Sequence, residues 1–183
     1  MTKIRWTADR NSMLDILSLQ GKRCAEIGVF KGEFSQEILK RNPFELWLVD
    51  PWQEQPTDVY PEYWNHPQRY DFGQMYKDVV KLFEHAPQVK VLRRKSFEAA
   101  QKFENESLDF VYVDAIHTFE SCYMDMVSWF PKVIPGGWLC GHDFTGEFVG
   151  VRQAITAFCR ITGQEVSLLT TETVWASWGI QRV

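Results

Sequence analysis

The chain has 183 residues and a formal net charge of −4, with 45% hydrophobic and 24% charged residues. This size and composition are typical of one globular domain, taken as residues 1–183, because no linker-like stretch divides the sequence. The acidic balance gives no reason to expect a nucleic-acid partner, and no apolar run approaches the roughly 20 residues that a membrane span needs.

The cysteines and the N-terminus indicate a location. The four cysteines are scattered and none has the spacing of a zinc or redox motif, so we expect reduced thiols. The N-terminus lacks the apolar core of a secretory signal, and a cytoplasmic location is expected. Aromatic residues make up 15% of the chain, more than a core of this size requires. Some of these rings are expected to line a pocket or a contact within a homo-oligomer.

Short apolar runs alternate with segments of helical period, which is the pattern of βαβ units on a parallel sheet. The runs predicted as strands are residues 24–29, 46–50, 89–93, 108–114 and 138–142. A helix is predicted to begin near Gln74, and another, after the fifth strand, to end at Gly163. Residues 166–169 and 174–180 are predicted to form a terminal hairpin.

Residues 51–72, between the second and third strands, are rich in proline and aromatic residues and show little periodicity. A stretch of this length is either a lid over a binding site or an element that the pattern fails to show, and we favour the lid. Its rings would then cover a substrate and exclude water, unless they pack against a partner subunit. These rings are Trp52, Tyr60, Tyr63 and Trp64.

The first candidate site is the turn after the first predicted strand, where Glu26, Gly28 and Gly32 form an E-x-G-x-x-x-G pattern. Glycines in such a turn permit positive φ and let a ligand approach the backbone. The spacing differs from the G-x-G-x-x-G pattern of dinucleotide sites, which argues against a pyrophosphate. Asp50, at the end of the second strand, stands where Rossmann-type proteins bind ribose hydroxyls. Taken alone, the turn is equally well explained as a tight βα connection, and Asp50 as a helix cap. Together the two features favour a nucleoside-bearing ligand.

From about residue 23 onwards, the chain resembles class I S-adenosylmethionine-dependent methyltransferases. The resemblance implies a Rossmann-like α/β fold: a seven-stranded, mostly parallel sheet with an antiparallel C-terminal strand and helices on both faces. It implies that Glu26 lies near the methionine end of S-adenosylmethionine, Asp50 at the ribose, and Ser96 and Phe97 at the adenine. Ser96 is equally well explained as a helix N-cap. The residues with implied cofactor contacts are Glu26, Gly28, Phe30, Gly32, Asp50, Ser96, Phe97 and Asp114.

A second group of polar residues follows the fourth and fifth predicted strands. Asp114 and His117 belong to a D-x-x-H-x-F-E segment, and His142 and Asp143 to a P-G-G-x-x-x-G-H-D-F segment. Both segments resemble those of a methyltransferase subfamily that includes small-molecule and sugar O-methyltransferases. The carboxyl ends of neighbouring parallel strands share one edge of a sheet, so these side chains are expected to lie together.

Two kinds of catalysis suit this group, and the sequence leaves both open. In one, Asp114, His142 and Asp143 bind Mg²⁺ or another divalent cation, which lowers the pKa of a substrate hydroxyl. The resemblance extends to catechol-type O-methyltransferases in this respect, although those enzymes use two Asp and one Asn. In the other, His117 or His142 acts as a general base without a metal, because imidazole titrates near neutral pH. The predicted catalytic residues are thus Asp114, His117 and His142.

A purely structural interpretation of the same residues also stands. Asp114 would cap the helix that begins near Thr118, and His117 would pair with Glu120 or Asp125 on one helical face. The Pro-Gly-Gly segment at 135–137 is predicted to be a turn without a chemical role.

The sequence therefore predicts an enzyme that transfers a methyl group from S-adenosylmethionine to an oxygen or a nitrogen of a small polar or sugar-like molecule. One alternative is a nicotinamide-dependent Rossmann oxidoreductase, but the chain lacks the G-x-G-x-x-G pattern and a hydride-transfer pair. The other is a cofactor-binding or regulatory module without catalysis.

Overall fold

The structure, a computed structural model, describes residues 4–54 and 70–183. Most of the predicted lid therefore lies outside the described residues, including Tyr60, Tyr63 and Trp64. Among the helices that are described, none has both the length and the apolar character needed to cross a membrane.

The described residues form one mixed β-sheet. Its strands are β1 (Arg5–Thr7), β2 (Arg23–Ile27), β3 (Glu45–Asp50), β4 (Val89–Arg93), β5 (Leu108–Val113), β6 (Val133–Gly141), β7 (Leu168–Thr170) and β8 (Trp178–Gln181). The spatial order is β1-β7-β8-β6-β5-β2-β3-β4, and β8 runs antiparallel to both of its neighbours, β6 and β7. This arrangement confirms the predicted fold class. An eighth strand is added by β1, which pairs in parallel with β7 at the edge of the sheet.

Side chains cap three of the six described α-helices at their N-termini. The helices are α1 (Arg10–Leu17), α2 (Glu33–Leu39), α3 (Phe72–Leu82), α4 (Ser96–Ala100), α5 (Phe119–Trp129) and α6 (Val149–Thr162). Asp9, Asp71 and Thr118 cap α1, α3 and α5 by accepting a backbone N–H three residues on, at 2.7, 2.8 and 3.2 Å. Gly163, with φ of 73°, ends α6 as predicted.

Helices cover both faces of the sheet because strand side chains alternate between the faces. In β2, Cys24 packs with α1, α2 and α3 on one face, whereas Ala25 packs with α4, α5 and α6 on the other. Cys24 and Cys140 are buried free thiols, as predicted. The sheet is thus the middle layer of three, with an apolar core on each side.

Two connecting segments differ from their predictions. Trp52, expected in the lid, is 1% exposed, and its Nε1–H donates to the Phe30 carbonyl at 2.8 Å. It is therefore a fixed part of the core. Residues 135–137, expected to be a turn, lie within β6, where Gly136 adopts φ of 81° and its N–H donates to the Arg182 carbonyl at 2.6 Å.

The strand order brings the candidate site residues together. The neighbouring parallel strands β3, β2, β5 and β6 all end at one edge of the sheet. The chain passes from β2 to β3 and β4 on one side, and then returns across the sheet to β5 on the other side of β2. Such a switch point leaves a crevice where α/β sheets bind ligands. Gly28, Asp50, Asp114 and His142 follow or end these strands.

Candidate functional site

The glycine turn packs directly against the end of β5. Gly28 adopts φ of 88°, and its N–H donates to the Val49 carbonyl at 2.9 Å. A Cβ at this position would lie 1.9 Å from the Asp114 carbonyl oxygen. Only glycine fits both the backbone conformation and this close approach, so Gly28 allows the first candidate site to meet the second.

Asp50 fastens the glycine turn to the end of β3. Its Oδ2 accepts the backbone N–H groups of Val29 and Phe30 at 2.9 and 3.0 Å, and its Oδ1 accepts that of Trp52 at 2.6 Å. Burial raises the pKa of Asp50, and these three hydrogen bonds limit the rise. Each carboxylate oxygen has about two lone-pair sites, so Oδ1 keeps one for a ligand hydroxyl while Oδ2 is fully used.

A buried acid, Glu26, and a half-buried cation, Arg10, lie beside the turn. Glu26 is buried, receives a hydrogen bond from the Ser35 hydroxyl and has a pKa raised to about 8, chiefly by burial. Arg10, the first residue of α1, places its guanidinium 3.8 Å from Asp114 Oδ2 and 4.5 Å from the centre of the Phe34 ring. Sequence reasoning missed Arg10 because it belongs to no motif and precedes the first predicted strand.

The second group of polar residues forms one compact cluster. His117 Nε2 lies 2.8 Å from Asp143 Oδ2 and 3.9 Å from Asp114 Oδ1. His142 Nδ1 lies 3.4 Å from Asp143 Oδ1 and 3.6 Å from Asp114 Oδ2. Asp143 adopts φ of 61°, a conformation that costs most side chains energy but that Asp tolerates. The predicted convergence of these four residues at one sheet edge is present in the structure.

Charge within the cluster favours protonated histidines. Burial alone would lower the pKa of His117, but its hydrogen bonds to Asp114 and Asp143 and their charges raise it to about 9. The pKa of His142 is also raised, since the same acids outweigh its burial. The pKa of Asp143 is lowered: burial would raise it, but both histidines act more strongly in the other direction. At neutral pH His117 therefore carries a proton that a general base would have to lack.

The donor atoms closest to one another are not the predicted set of three. Asp114, His117 and Asp143 offer ligand atoms that all lie within 4.8 Å of one another. His117 thus takes the place predicted for His142 among the three metal ligands. The structural interpretation of Asp114 is wrong, because the side chain that caps α5 is Thr118.

The predicted adenine contacts lie near a buried acid on α5. Ser96 is not an N-cap: Lys95 holds that position, and the Ser96 hydroxyl accepts a hydrogen bond from Trp129 Nε1–H at 2.9 Å. The same hydroxyl hydrogen-bonds to Asp125, which is 6% exposed. Phe97 is exposed and lies next along the chain.

Most of these features surround one cavity of about 740 Å³. Among the predicted site residues, those in its wall are Glu26, Gly28, Phe30, Asp50, Ser96, Phe97, Asp114 and His117. Gly32 lies outside the wall, where it begins α2 and faces the Phe83 ring. His142 and Asp143 lie behind Asp114 and His117 and line a much smaller void. Of the two histidines proposed as general bases, His117 alone reaches the cavity in the described part of the chain.

The sequence matches one protein family over residues 25–144, and that family is described as "Methyltransferase domain". No curated protein has a significantly similar sequence.

Several solved structures share the fold. A S-adenosylmethionine-dependent methyltransferase from Aquifex aeolicus aligns with a TM-score of 0.68 at 12% identity, covering 96% of this chain and 90% of that one. A S-adenosylmethionine-dependent methyltransferase from Mesorhizobium loti aligns with a TM-score of 0.66 at 10% identity, covering 93% of this chain and 96% of that one. The O-methyltransferase NovP aligns with a TM-score of 0.65 at 17% identity, covering 93% of this chain and 79% of that one. At these identities the likeness concerns the fold alone.

Proposed function

The chain belongs to the methyltransferase-domain family, and on that premise we propose that it transfers a methyl group from S-adenosylmethionine to an oxygen or a nitrogen of a small polar or sugar-like molecule. One observation carries the proposal: the glycine turn with Asp50, and the reactive pair Asp114 and His117, line the same cavity. Its volume of about 740 Å³ falls within the roughly 300–1,000 Å³ typical of small-molecule sites.

The cavity offers complementary groups for each part of the cofactor. The free lone pair of Asp50 Oδ1 suits one ribose hydroxyl, which is a weaker contact than the two-oxygen contact expected from the sequence. Glu26 suits the α-ammonium group at the methionine end, and Arg10 suits the α-carboxylate. Bound S-adenosylmethionine would supply an electrophilic methyl group on a positively charged sulfur.

The acceptor would be activated at the cluster, and the donor set supports a divalent cation. Asp114, His117 and Asp143 present two carboxylates and one imidazole within 4.8 Å of one another. Imidazole is a better ligand for Mn²⁺, Fe²⁺ or Zn²⁺ than for Mg²⁺, so we expect one of the former. Such an ion would lower the pKa of an acceptor hydroxyl. His117 must lose its proton to become a ligand.

Without a metal, the positive charge of protonated His117 offsets the negative charges of Asp114 and Asp143, as a bound cation would. His117 then orients Asp114 and Asp143, and the carboxylate of Asp114, which lines the cavity, is the group positioned to accept the proton of the acceptor. This route assigns to Asp114 the role of general base that was predicted for His117 or His142.

Isothermal titration calorimetry tests the cofactor. We expect the wild-type protein to bind S-adenosylhomocysteine and not NAD. Asp50→Ala should bind S-adenosylhomocysteine weakly, because the glycine turn loses two hydrogen bonds and Trp52 loses one. Asp71→Asn is the matched control, since it changes a helix-capping acid on α3 into another good cap. No affinity for S-adenosylhomocysteine would refute the proposal, and tight NAD binding would favour an oxidoreductase.

Thermal unfolding with Mn²⁺, Mg²⁺ and EDTA tests the metal. A cation that binds the native cluster raises the melting temperature, by mass action, and Asp143→Asn should remove the rise. Asp71→Asn should keep it. Zn²⁺ is tested in the same way. If neither Mn²⁺ nor Zn²⁺ raises the wild-type melting temperature, or if Asp143→Asn responds equally to them, the metal-assisted route is refuted and the metal-free route stands.

A further inference from the structure

Three partly exposed aromatic side chains adjoin the cluster at the carboxyl end of β6. Phe144 and Phe148 belong to the segment that joins β6 to α6, and Trp175 belongs to the loop that joins β7 to β8. We call these three residues the aromatic rim. Because β6 and β8 lie beyond β5 from β2, the rim lies on the side of the cluster opposite the glycine turn. The rim is therefore outside the cavity assigned to the cofactor.

Local contacts hold the rim against the cluster. The Phe144 N–H donates to the Ala176 carbonyl at 2.9 Å, which brings the neighbouring residue Trp175 next to Phe144. The ring of Phe148 packs against that of His117, with the two centroids 4.4 Å apart. An acceptor whose reacting group is held at the cluster would therefore extend over the rim.

The loop that carries Trp175 is fixed at its base. The Thr170 N–H donates to the Ser177 carbonyl at 3.0 Å, and the Ser177 N–H donates to the Thr170 hydroxyl at 2.8 Å. At the tip of this loop, Val174 and Trp175 are 52% and 45% exposed. A large ring on a fixed loop loses little conformational freedom when a ligand covers it. The rim is thus a preorganised surface for the flat face of a ring.

An arginine without an acidic partner lies over the rim. The Arg152 guanidinium is 6.0 Å from the centre of the Phe144 ring. Among the described residues no carboxylate forms an ion pair with Arg152, although Glu147 lies on the neighbouring segment. A guanidinium binds a carboxylate through two parallel hydrogen bonds. The rim therefore combines apolar ring surface with a positive charge that a ligand can neutralise.

We propose that the methyl acceptor is an aromatic acid whose ring packs on Trp175 and Phe144, whose carboxylate pairs with Arg152, and whose hydroxyl reaches the cluster. The proposal rests on the methyl transfer assigned under the proposed function, and it names the class of acceptor. A neutral sugar would leave Arg152 without a partner. In the reaction the hydroxyl oxygen bonds to the methyl carbon, the carbon–sulfur bond breaks with its electrons left on sulfur, and the hydroxyl proton passes to Asp114 or to water.

Ligand-observed NMR titration tests the proposal without turnover, on protein saturated with S-adenosylhomocysteine. The probes are 4-hydroxybenzoate and its uncharged amide, 4-hydroxybenzamide. Wild-type protein should bind the acid about 3- to 10-fold more tightly than the amide, because only the acid pairs with the guanidinium. Arg152→Gln should reduce this ratio to about 1. Trp175→Ala should weaken the binding of both probes, because both have the same ring.

The matched controls are Arg160→Gln and Trp6→Ala. Arg160 is another exposed arginine of α6, and Trp6 is an exposed tryptophan of β1, at the edge of the sheet. Both variants should bind the two probes as wild-type protein does.

The inference is overturned if wild-type protein binds neither probe or binds both equally, or if Arg152→Gln keeps the wild-type ratio. It is also overturned if Trp175→Ala binds both probes normally. If that variant then also turns a dimer into a monomer, the rim is an interface between copies of the chain. Wild-type protein that binds S-adenosylhomocysteine but neither probe leaves the proposed function standing, whereas protein that does not bind S-adenosylhomocysteine refutes both.

Discussion

Replacing Gly28 with alanine should destabilise the protein far more than the same change at another glycine of positive φ. Gly21 is the reference, because its φ is 72° and a Cβ there would have no atom within 4 Å. Gly21→Ala therefore measures the backbone cost alone, about 1 kcal/mol. Gly28→Ala carries the same cost and adds a collision with the backbone of Asp114.

The size of the added effect follows from the distances. The new Cβ and the Asp114 carbonyl oxygen must separate from 1.9 Å to at least 3.4 Å, the distance of ordinary contact. That movement pulls apart β2 and β5, which are joined there by the 2.8 Å bond from the Asp114 N–H to the Ile27 carbonyl. Losing a buried hydrogen bond costs about 1–3 kcal/mol. We expect a total loss of about 2–4 kcal/mol.

Urea denaturation, monitored by the fluorescence of the eight tryptophans, gives the free energies of unfolding of Gly21→Ala and Gly28→Ala. The difference between the two variants isolates the contact of the turn with β5. A loss for Gly28→Ala within about 0.5 kcal/mol of that for Gly21→Ala would refute the reasoning, because it would mean that the two strand ends separate freely.

Three further predictions concern charge. Glu26→Gln should flatten the pH dependence of stability measured by urea denaturation. Burial raises the pKa of Glu26 from 4.5 to about 8. The contribution of Glu26 to the free energy of unfolding is therefore fully present below pH 4.5 and is lost as the pH rises through about 8, by up to about 1.4 kcal/mol per pH unit. An unchanged slope in Glu26→Gln would contradict this. Asp143→Asn should lower the pKa of His117 from about 9 in an NMR titration of metal-free protein, whereas the exposed-acid control Asp15→Asn should not. A His117 that titrates unchanged would exclude the ion pair. Arg10→Gln should weaken binding of S-adenosylhomocysteine about tenfold and leave 5′-methylthioadenosine, which lacks the carboxylate, unaffected. An equal loss for both ligands would show that Arg10 does not contact the carboxylate.

The fold could be predicted from the sequence because the central strands are buried on both faces and therefore appear as continuous apolar runs. The run at 89–93 coincides with β4, and the terminal hairpin is present as β7 and β8. β1 escaped prediction because it has three residues, of which only Thr7 is buried. A strand this short at an edge carries no periodic signal.

The candidate site could be predicted only as far as strand ends determine it. Parallel strands place Asp50 and Asp114 at one edge whatever their rotamers. The preference for His117 over His142 depends on how residues 115–118 fold back against Asp143, which spacing along the chain does not encode. Asp125 did leave a signal: it is an acid at helical spacing among the apolar residues Cys122 and Trp129, on the face that packs against the sheet.

The position of β8 bears on how the chain can fold during synthesis. β8 follows every other strand in the sequence, yet it lies between β6 and β7. Until residues 178–181 leave the ribosome, the edge of β6 that faces away from β5 has no neighbouring strand, and the pair formed by β1 and β7 cannot hydrogen-bond to the rest of the sheet. The nascent protein therefore carries an open sheet edge until β8 emerges, and chaperones that cover such edges should bind it during this interval.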